Sequence, residues 1–591
     1  MSFAYLPTLH AGASQPPTLK LPWGVYQGLP MKDDSNIYLF ENVRFGANPT
    51  RFGTPTFPTW KNTSIQPVSD GRNCIQIDPN GIDNAPGGHD PFYTPGDQVT
   101  PQGEDCLFLD LYVPKTAFDP SRRKPMPVVV WFYGGAFAFG SKNQLGPLYT
   151  GRSVIAASKY QTIFVAGNYR LGAFGWLSGD YMQRSAQPNA GLYDQALLLQ
   201  WVQNYIGQVS GNKYQVSAWG ESAGAGSILH HLIREDGAVD PTFNTFAVQS
   251  PAFEWAWDNK PMGKLDQVYQ NFSSLAGCGL AFDLDCLRKS KNLTAANQKL
   301  FNTVRQTGLF PVGPAVDGKW ITTIPTVSFA RGNYWKSSIQ STIISHCLNE
   351  SASFTPKFVT SSDTFTAFLN IFLPGAKLAS QRQKIAAKYT CTAPPFNGDY
   401  RRCIATVISD ASFVCNTRDL YSAYPNKAHM MRYGFPTAEH ARHAADLVAL
   451  FSNNHAEAVE LLKKNNVPTS FAKAYANSLI NTNVAKAYQT YFASFALTGG
   501  DPNTLDMPKV RNGPLPKWPV ANGSGDALTN VLTVQSPWKI FQAPFVLDQA
   551  DNQATRMACG FWTEIAEEIV TMQEATDVVG DGEKEVYFDE L

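Results

Sequence analysis

The sequence predicts an α/β fold: a mostly parallel central sheet with helices on both faces and large helical insertions. Three observations carry that expectation. Short apolar runs alternate with helical stretches from Leu107 to Val248, the pattern of strands joined by crossover helices. The run Pro127-Val128-Val129-Val130-Trp131-Phe132 has no polar alternation, so it reads as a strand buried on both faces, and glycines follow it. No internal repeat or low-complexity tract competes with this reading.

The elements follow in order. Residues 1–60 are rich in Pro, Gly and Thr, and alternating runs such as Asn36-Ile37-Tyr38-Leu39-Phe40 predict a small antiparallel sheet. Residues 74–106 form a long polar loop between two cysteines, and a loop of that length is usually functional or tied down. Leu107–Val113, 127–132, Thr162–Ala166, Gln215–Trp219, Phe246–Val248 and Ser341–Ile344 are predicted strands, and 153–160, 189–206 and 222–234 predicted helices. From about 355 to 500 the pattern is largely helical. Within it Val484, Ala487, Tyr488, Tyr491, Phe492 and Phe495 form one apolar stripe. Ile540 and Val546 suggest a last strand, followed by a helix over 560–573. One domain is expected over 1–591, with a core at about 20–350 and 425–575 and the helical excursion at about 355–500.

Composition excludes several classes of function. With 43% hydrophobic and 16% charged residues the chain is too apolar to be disordered. Lys+Arg and Asp+Glu are both 48, so no net positive charge exists to displace counterions, and a nucleic-acid partner is not expected. No apolar run approaches the ~18 residues of a transmembrane helix. Nine cysteines without a C-x-x-C, in close pairs such as Cys278/Cys286 and Cys391/Cys403, favour disulfides over zinc and point to the secretory pathway. Nine leaves at least one unpaired. The first residues lack a basic and an apolar signal region, so the secretory reading needs a leader removed upstream, and a cytoplasmic protein is the alternative. Sequons at Asn62, Asn271, Asn292, Asn349 and Asn522 lend weak support to secretion. The final Phe588-Asp589-Glu590-Leu591 reads either as an ER-retrieval signal or as an acidic solvated tail.

Chemistry concentrates in Gly220-Glu221-Ser222-Ala223-Gly224, which follows a predicted strand and opens a predicted helix. That context is what a nucleophile elbow requires: a serine on a strained turn, flanked by glycines that let neighbouring backbone pass closely. The helix N-terminus below it favours negative charge on a bound carbonyl oxygen. Upstream, Tyr133-Gly134-Gly135-Ala136-Phe137 follows a strand and can aim backbone N–H groups into a cleft.

With these motifs in place the sequence resembles the type-B carboxylesterases, the family of cholinesterases and of fungal esterases and lipases, from about residue 20 to 562. The marks are Glu104 through Pro114 (EDCLFLDLYVP), Asn168 through Leu177 (NYRLGAFGWL), Asn189 through Gln195 (NAGLYDQ) and the elbow. The GGAF loop and the WGESAGA elbow look most like the fungal branch. Asp110 stands where the family usually has Asn, Val209-Ser210-Gly211 replaces Phe-Gly-Gly, and Ala252 stands where many members have a second serine.

The resemblance implies the α/β-hydrolase fold and a triad of Ser222, Glu350 and His443, with no cofactor and no metal. Glu350 lies in Cys347-Leu348-Asn349-Glu350-Ser351 and His443 in His443-Ala444-Ala445-Asp446-Leu447, while His440 is the rival base. His440 and His443 as metal ligands lack a third partner. His230 and His231 read as structural, and Cys347 as a buried thiol. Gly135, Ala136 and Ala223 are the implied oxyanion donors. Cys74–Cys106 and Cys278–Cys286 are the disulfides that the family implies, and Cys391–Cys403 is a pairing suggested by proximity.

The expected partner is a small-molecule ester. The 74–106 loop has no Trp to hold a quaternary ammonium and no sustained apolar face for a lipase lid, so a soluble ester is favoured over choline esters or triglyceride. Trp255 and Trp257, in the segment where the family's acyl pocket lies, are candidate pocket walls with Phe137, and ordinary core packing is the alternative. Two other functions remain open at this level: acyl transfer to an alcohol on the same triad, and a non-catalytic adhesion or scaffold homologue.

Overall fold

The computed structural model describes residues 15–579 apart from 80–100, 144–148, 305–308, 465–466, 512, 536–542 and 548–549. Eleven strands form the central sheet: β1 (Leu29–Pro30), β2 (Ile37–Arg44), β3 (Phe108–Pro114), β4 (Met126–Phe132), β5 (Ile163–Gly167), β6 (Gly211–Glu221), β7 (Thr245–Gln249), β8 (Ser341–Cys347), β9 (Ala428–Tyr433), β10 (Leu532–Val534) and β11 (Phe545–Val546). Their order across the sheet is β11-β10-β9-β8-β7-β6-β4-β5-β3-β2-β1. Every pairing from β10 through to β5 is parallel. The outer pairings are antiparallel.

The apolar runs explain this layout. Every residue of β4 and of β8 is buried, which requires helices on both faces. The helix Val484–Thr498 presents its predicted stripe to the core: Val484, Ala487, Tyr488, Tyr491, Phe492 and Phe495 are all buried. The helices over 362–423 bury a second apolar cluster with the C-terminal helix Arg556–Val579, including Phe368, Val407, Trp562 and Ile565.

Two expectations change. The start of the chain is not one small sheet. Thr18–Leu21 pairs with Gly24–Gln27 as a separate hairpin, whereas Ile37–Arg44 joins the central sheet against β3. Ile37, Phe40 and Val43 are fully buried there, and a register shift between Phe40 and Val43 keeps them on the core side. The stretch from 355 to 500, read as largely helical, contains β9, a short run buried on both faces. Of the last strand, Val546 lies in β11, and Ile540 falls outside the described residues.

The departures at Asp110 and Ser210 have local accommodations. Asp110 forms an ion pair with Lys142 at 2.7 Å, both buried, and accepts the Asn42 N–H at 2.9 Å. The cation is what lets a carboxylate stand inside the sheet. Ser210 takes a left-handed conformation (φ 62°), and its hydroxyl donates to the Ala117 carbonyl at 2.7 Å.

Candidate active site

The site stands at the C-terminal ends of β4, β6, β8 and β9, where a parallel sheet opens its crevice. Ser222 sits between β6 and the helix Ala223–Leu232 at φ 55° and ψ −127°, a conformation that L-residues rarely hold. The flanking glycines make the bend possible. A Cβ on Gly224 would lie 2.0 Å from the Phe132 carbonyl oxygen, and one on Gly220 2.6 Å from the Gly224 carbonyl carbon. The loop after β4 presses equally close, since a Cβ on Gly134 would meet the Ser222 Cβ at 2.8 Å. Gly135, Ala136 and Phe137 all have positive φ, 119°, 51° and 59°.

Glu350 and His443 reach the serine from loops far apart in the chain. The Glu350 loop follows β8, and the Cys347 N–H donates to its Oε1 at 2.5 Å. The two loops are joined by backbone: the Asn349 N–H donates to the Ala441 carbonyl at 3.0 Å, and Asn349 bridges Arg442. His443 Nδ1 lies 2.6 Å from Glu350 Oε2, and His443 Nε2 lies 2.7 Å from Ser222 Oγ. The edges of Phe354 and Phe413 flank the imidazole, with ring centres 5.3 and 4.8 Å away.

The electrostatics suit a proton relay. Burial alone would push the His443 imidazole down, but the carboxylates of Glu221 and Glu350 outweigh it and hold it up at about 9. Burial pushes the Glu350 carboxyl up, yet the contacts of His443, Ser250 and Cys347 keep it below its ordinary value. Glu221, beside the serine, is raised to about 8, first by burial, against the pull of His443 at 3.3 Å.

A cavity of about 350 Å³ opens at Ser222, lined by Ala136, Ala223, Phe137, Trp255 and Trp257 among others. Gly135 is not in its wall. Trp255 also packs edge-on against Trp562 at 5.9 Å, so it serves wall and core together. The other histidines lie elsewhere. His440 is held by the Thr437 hydroxyl at 2.9 Å and packs on Phe471 and Tyr475. His230 and His231 are buried and pushed down by burial to about 4 and 3, facing the Gly226 carbonyl and Gln195. Cys347 is a buried free thiol. The sulfurs join Cys74–Cys106, Cys278–Cys286, Cys391–Cys403 and Cys415–Cys559. Most of the 74–106 loop and the last four residues lie outside the described residues.

Sequence reasoning missed Glu221, Phe354 and Phe413. Glu221 had a signal, a charged residue at the end of an apolar strand. Phe413 had none. It sits in a π-helical turn, Asp410–Val414, inside a helical region that nothing local ties to the catalytic loops.

Residues 15–562 match the family described as the carboxylesterase family. A secreted lipase of Arthroderma benhamiae is 34% identical over 82% of this chain and 86% of its own length. Carboxylesterase patB of Penicillium expansum is 28% identical over 84% of this chain and 90% of its own. The crystal structure of Aspergillus niger EstA has the same fold, with a TM-score of 0.72 and 24% identity over 93% of this chain and 98% of that one. Fold, crevice and matches converge: the chain belongs to the carboxylesterase family and is a carboxylic ester hydrolase.

Proposed function

We propose that the chain cleaves soluble carboxylic esters through an acyl-enzyme on Ser222, with His443 as base and then acid and Glu350 as its orienting carboxylate. The observation that carries this reading is the unbroken line Ser222 Oγ, His443, Glu350, with contacts of 2.7 and 2.6 Å. His443 Nε2 takes the hydroxyl proton as Oγ attacks the ester carbonyl. Glu350 accepts a hydrogen bond from Nδ1–H and, staying ionised, stabilises the imidazolium. The carbonyl oxygen becomes an oxyanion, which accepts hydrogen bonds from the N–H groups of Gly135, Ala136 and Ala223, each worth about 2.7–4 kcal/mol. Collapse expels the alcohol, which takes the proton from His443. Water then repeats the sequence and releases the acid.

The aromatic walls and a volume of about 350 Å³, near the low end of ligand pockets, support small or aryl acyl esters as substrates. Four disulfides support passage through an oxidising compartment, and among the described residues no helix is long and apolar enough to cross a membrane. A fluorophosphonate serine probe is expected to label the wild-type chain and not Ser222→Ala, while p-nitrophenyl ester turnover falls by about four to six orders of magnitude. Labelling that survives the substitution refutes the nucleophile. Ester formation with an added alcohol measures how far acyl transfer competes with water.

A further inference from the structure

The cavity beside Ser222 is lined mostly by apolar side chains, many of them aromatic, yet two lining groups, Glu254 and Asp258, are carboxyls. Glu254 stands between Phe253 and Trp255 on the segment leaving β7, and it lines the same cavity as Ser222. That segment is fastened to the nucleophile: the Ala252 N–H donates to the Ser222 carbonyl at 3.1 Å. Two residues of chain reach at most about 7 Å, so Glu254 stands close to where a bound ester must lie.

The surroundings of the carboxyl are unusual. Its Oε1 accepts the Phe310 N–H at 2.9 Å. Among the described residues its Oε2 has no hydrogen-bond partner. Among the described residues the other ionisable groups lining the cavity are Asp258, Lys260, Lys264 and Lys377, and none of them is hydrogen-bonded or ion-paired to Glu254. Burial, opposed only by the Phe310 N–H, raises its pKa to about 8. At neutral pH the group is therefore an acid with an O–H to donate. The half-buried group keeps this second oxygen unpartnered inside the cavity, open to an acceptor that a bound substrate brings.

We propose that Glu254 is a specificity-determining residue that donates a hydrogen bond to a substrate oxygen remote from the scissile ester. The preferred substrates carry an ether, hydroxyl or carbonyl oxygen in the part held by the aromatic cavity. This rests on the ester-hydrolase reading above and narrows its substrate class.

The test measures kcat/KM for p-nitrophenyl alkanoates and for the same esters with an ether oxygen replacing one methylene, moved stepwise along the chain. The ratio of each ether ester to its alkanoate, taken within one enzyme, cancels the active fraction and the titration of His443. Comparing ratios between variants cancels intrinsic ester reactivity. For at least one oxygen position the wild-type ratio is expected to exceed that of Glu254→Leu about tenfold. Glu254→Gln, whose amide still donates, is expected to keep most of the preference. The wild-type preference is expected to fade above pH 8 as the O–H is lost, and that of Glu254→Gln is not. Equal ratios in wild type and Glu254→Leu at every position overturn the proposal and leave Glu254 as a partner of Phe310 alone. A preference that grows with pH also overturns it, because an ionised carboxylate has no hydrogen to donate to the ether oxygen. Failure of the ester-hydrolase reading would look different: no ester would be turned over by the wild type.

Discussion

Two histidines three positions apart have opposite fates because of what faces them. His443 lies between Glu350 and Ser222, and His440 turns to Thr437 and the rings of Phe471 and Tyr475. His443→Ala is expected to lower kcat by about four to six orders of magnitude, and His440→Ala to leave most of it; steady-state kinetics on one p-nitrophenyl ester decides. The sign of the pH dependence follows from the same ring. Only neutral imidazole can take the Ser222 proton, so activity falls as pH drops below the His443 pKa. With that pKa raised to about 9 by neighbouring carboxylates, the acid limb of kcat/KM is expected on the alkaline side of the ~6.5 of free histidine. Glu221→Gln removes one of those carboxylates and is expected to move the limb to lower pH. A limb that stays in place, or moves up, contradicts the assignment.

The elbow is a junction of three elements rather than a motif. The helix Ala223–Leu232 leaves β6 so sharply that its first turn runs against the end of β4, with room only for hydrogen at Gly224. Gly224→Ala is expected to cost about 1–3 kcal/mol through overpacking and to displace Ser222, because the contact at 2.0 Å is with backbone that cannot swing aside. Thermal denaturation and probe labelling read the two effects separately. A variant with wild-type stability and labelling rate would show that the junction has slack. The same logic of shared support holds for the base and acid, whose loops are tied through Asn349, Ala441 and Arg442.

Across the molecule, long-range covalent ties join parts that apolar packing alone brings together. Cys415–Cys559 spans 144 residues and fixes the C-terminal helix to the helix Cys415–Ala423, whereas Cys278–Cys286 spans only 8. In the chain-entropy account, closing the longer loop restricts the unfolded chain by about 5 kcal/mol and the shorter by about 2.5 kcal/mol. Cys559→Ser is therefore expected to lower the denaturation midpoint roughly twice as far as Cys286→Ser in chemical denaturation under non-reducing conditions. Equal losses would mean that native packing, not the unfolded chain, sets the effect.

The parallel sheet was legible because continuous apolar runs such as 127–132 can be buried only between two layers, and that is a local property. The nucleophile was legible for a similar reason: serine, glycines and a strand-to-helix change occur within five consecutive residues. Other features depend on chain that is distant in sequence. That Ile37–Arg44 joins the large sheet, that β9 interrupts a helical stretch, and that Cys415 pairs with Cys559 depend on which surfaces meet. So do the rings of Phe354 and Phe413 on His443 and the carboxyl of Glu254 in the cavity wall. The sequence by itself determined the class of the sheet and the position of the reactive serine, because short-range sterics and periodicity specify both. Only the tertiary structure decided what surrounds that serine, because desolvation and charge at a buried site are set by packing between segments hundreds of residues apart.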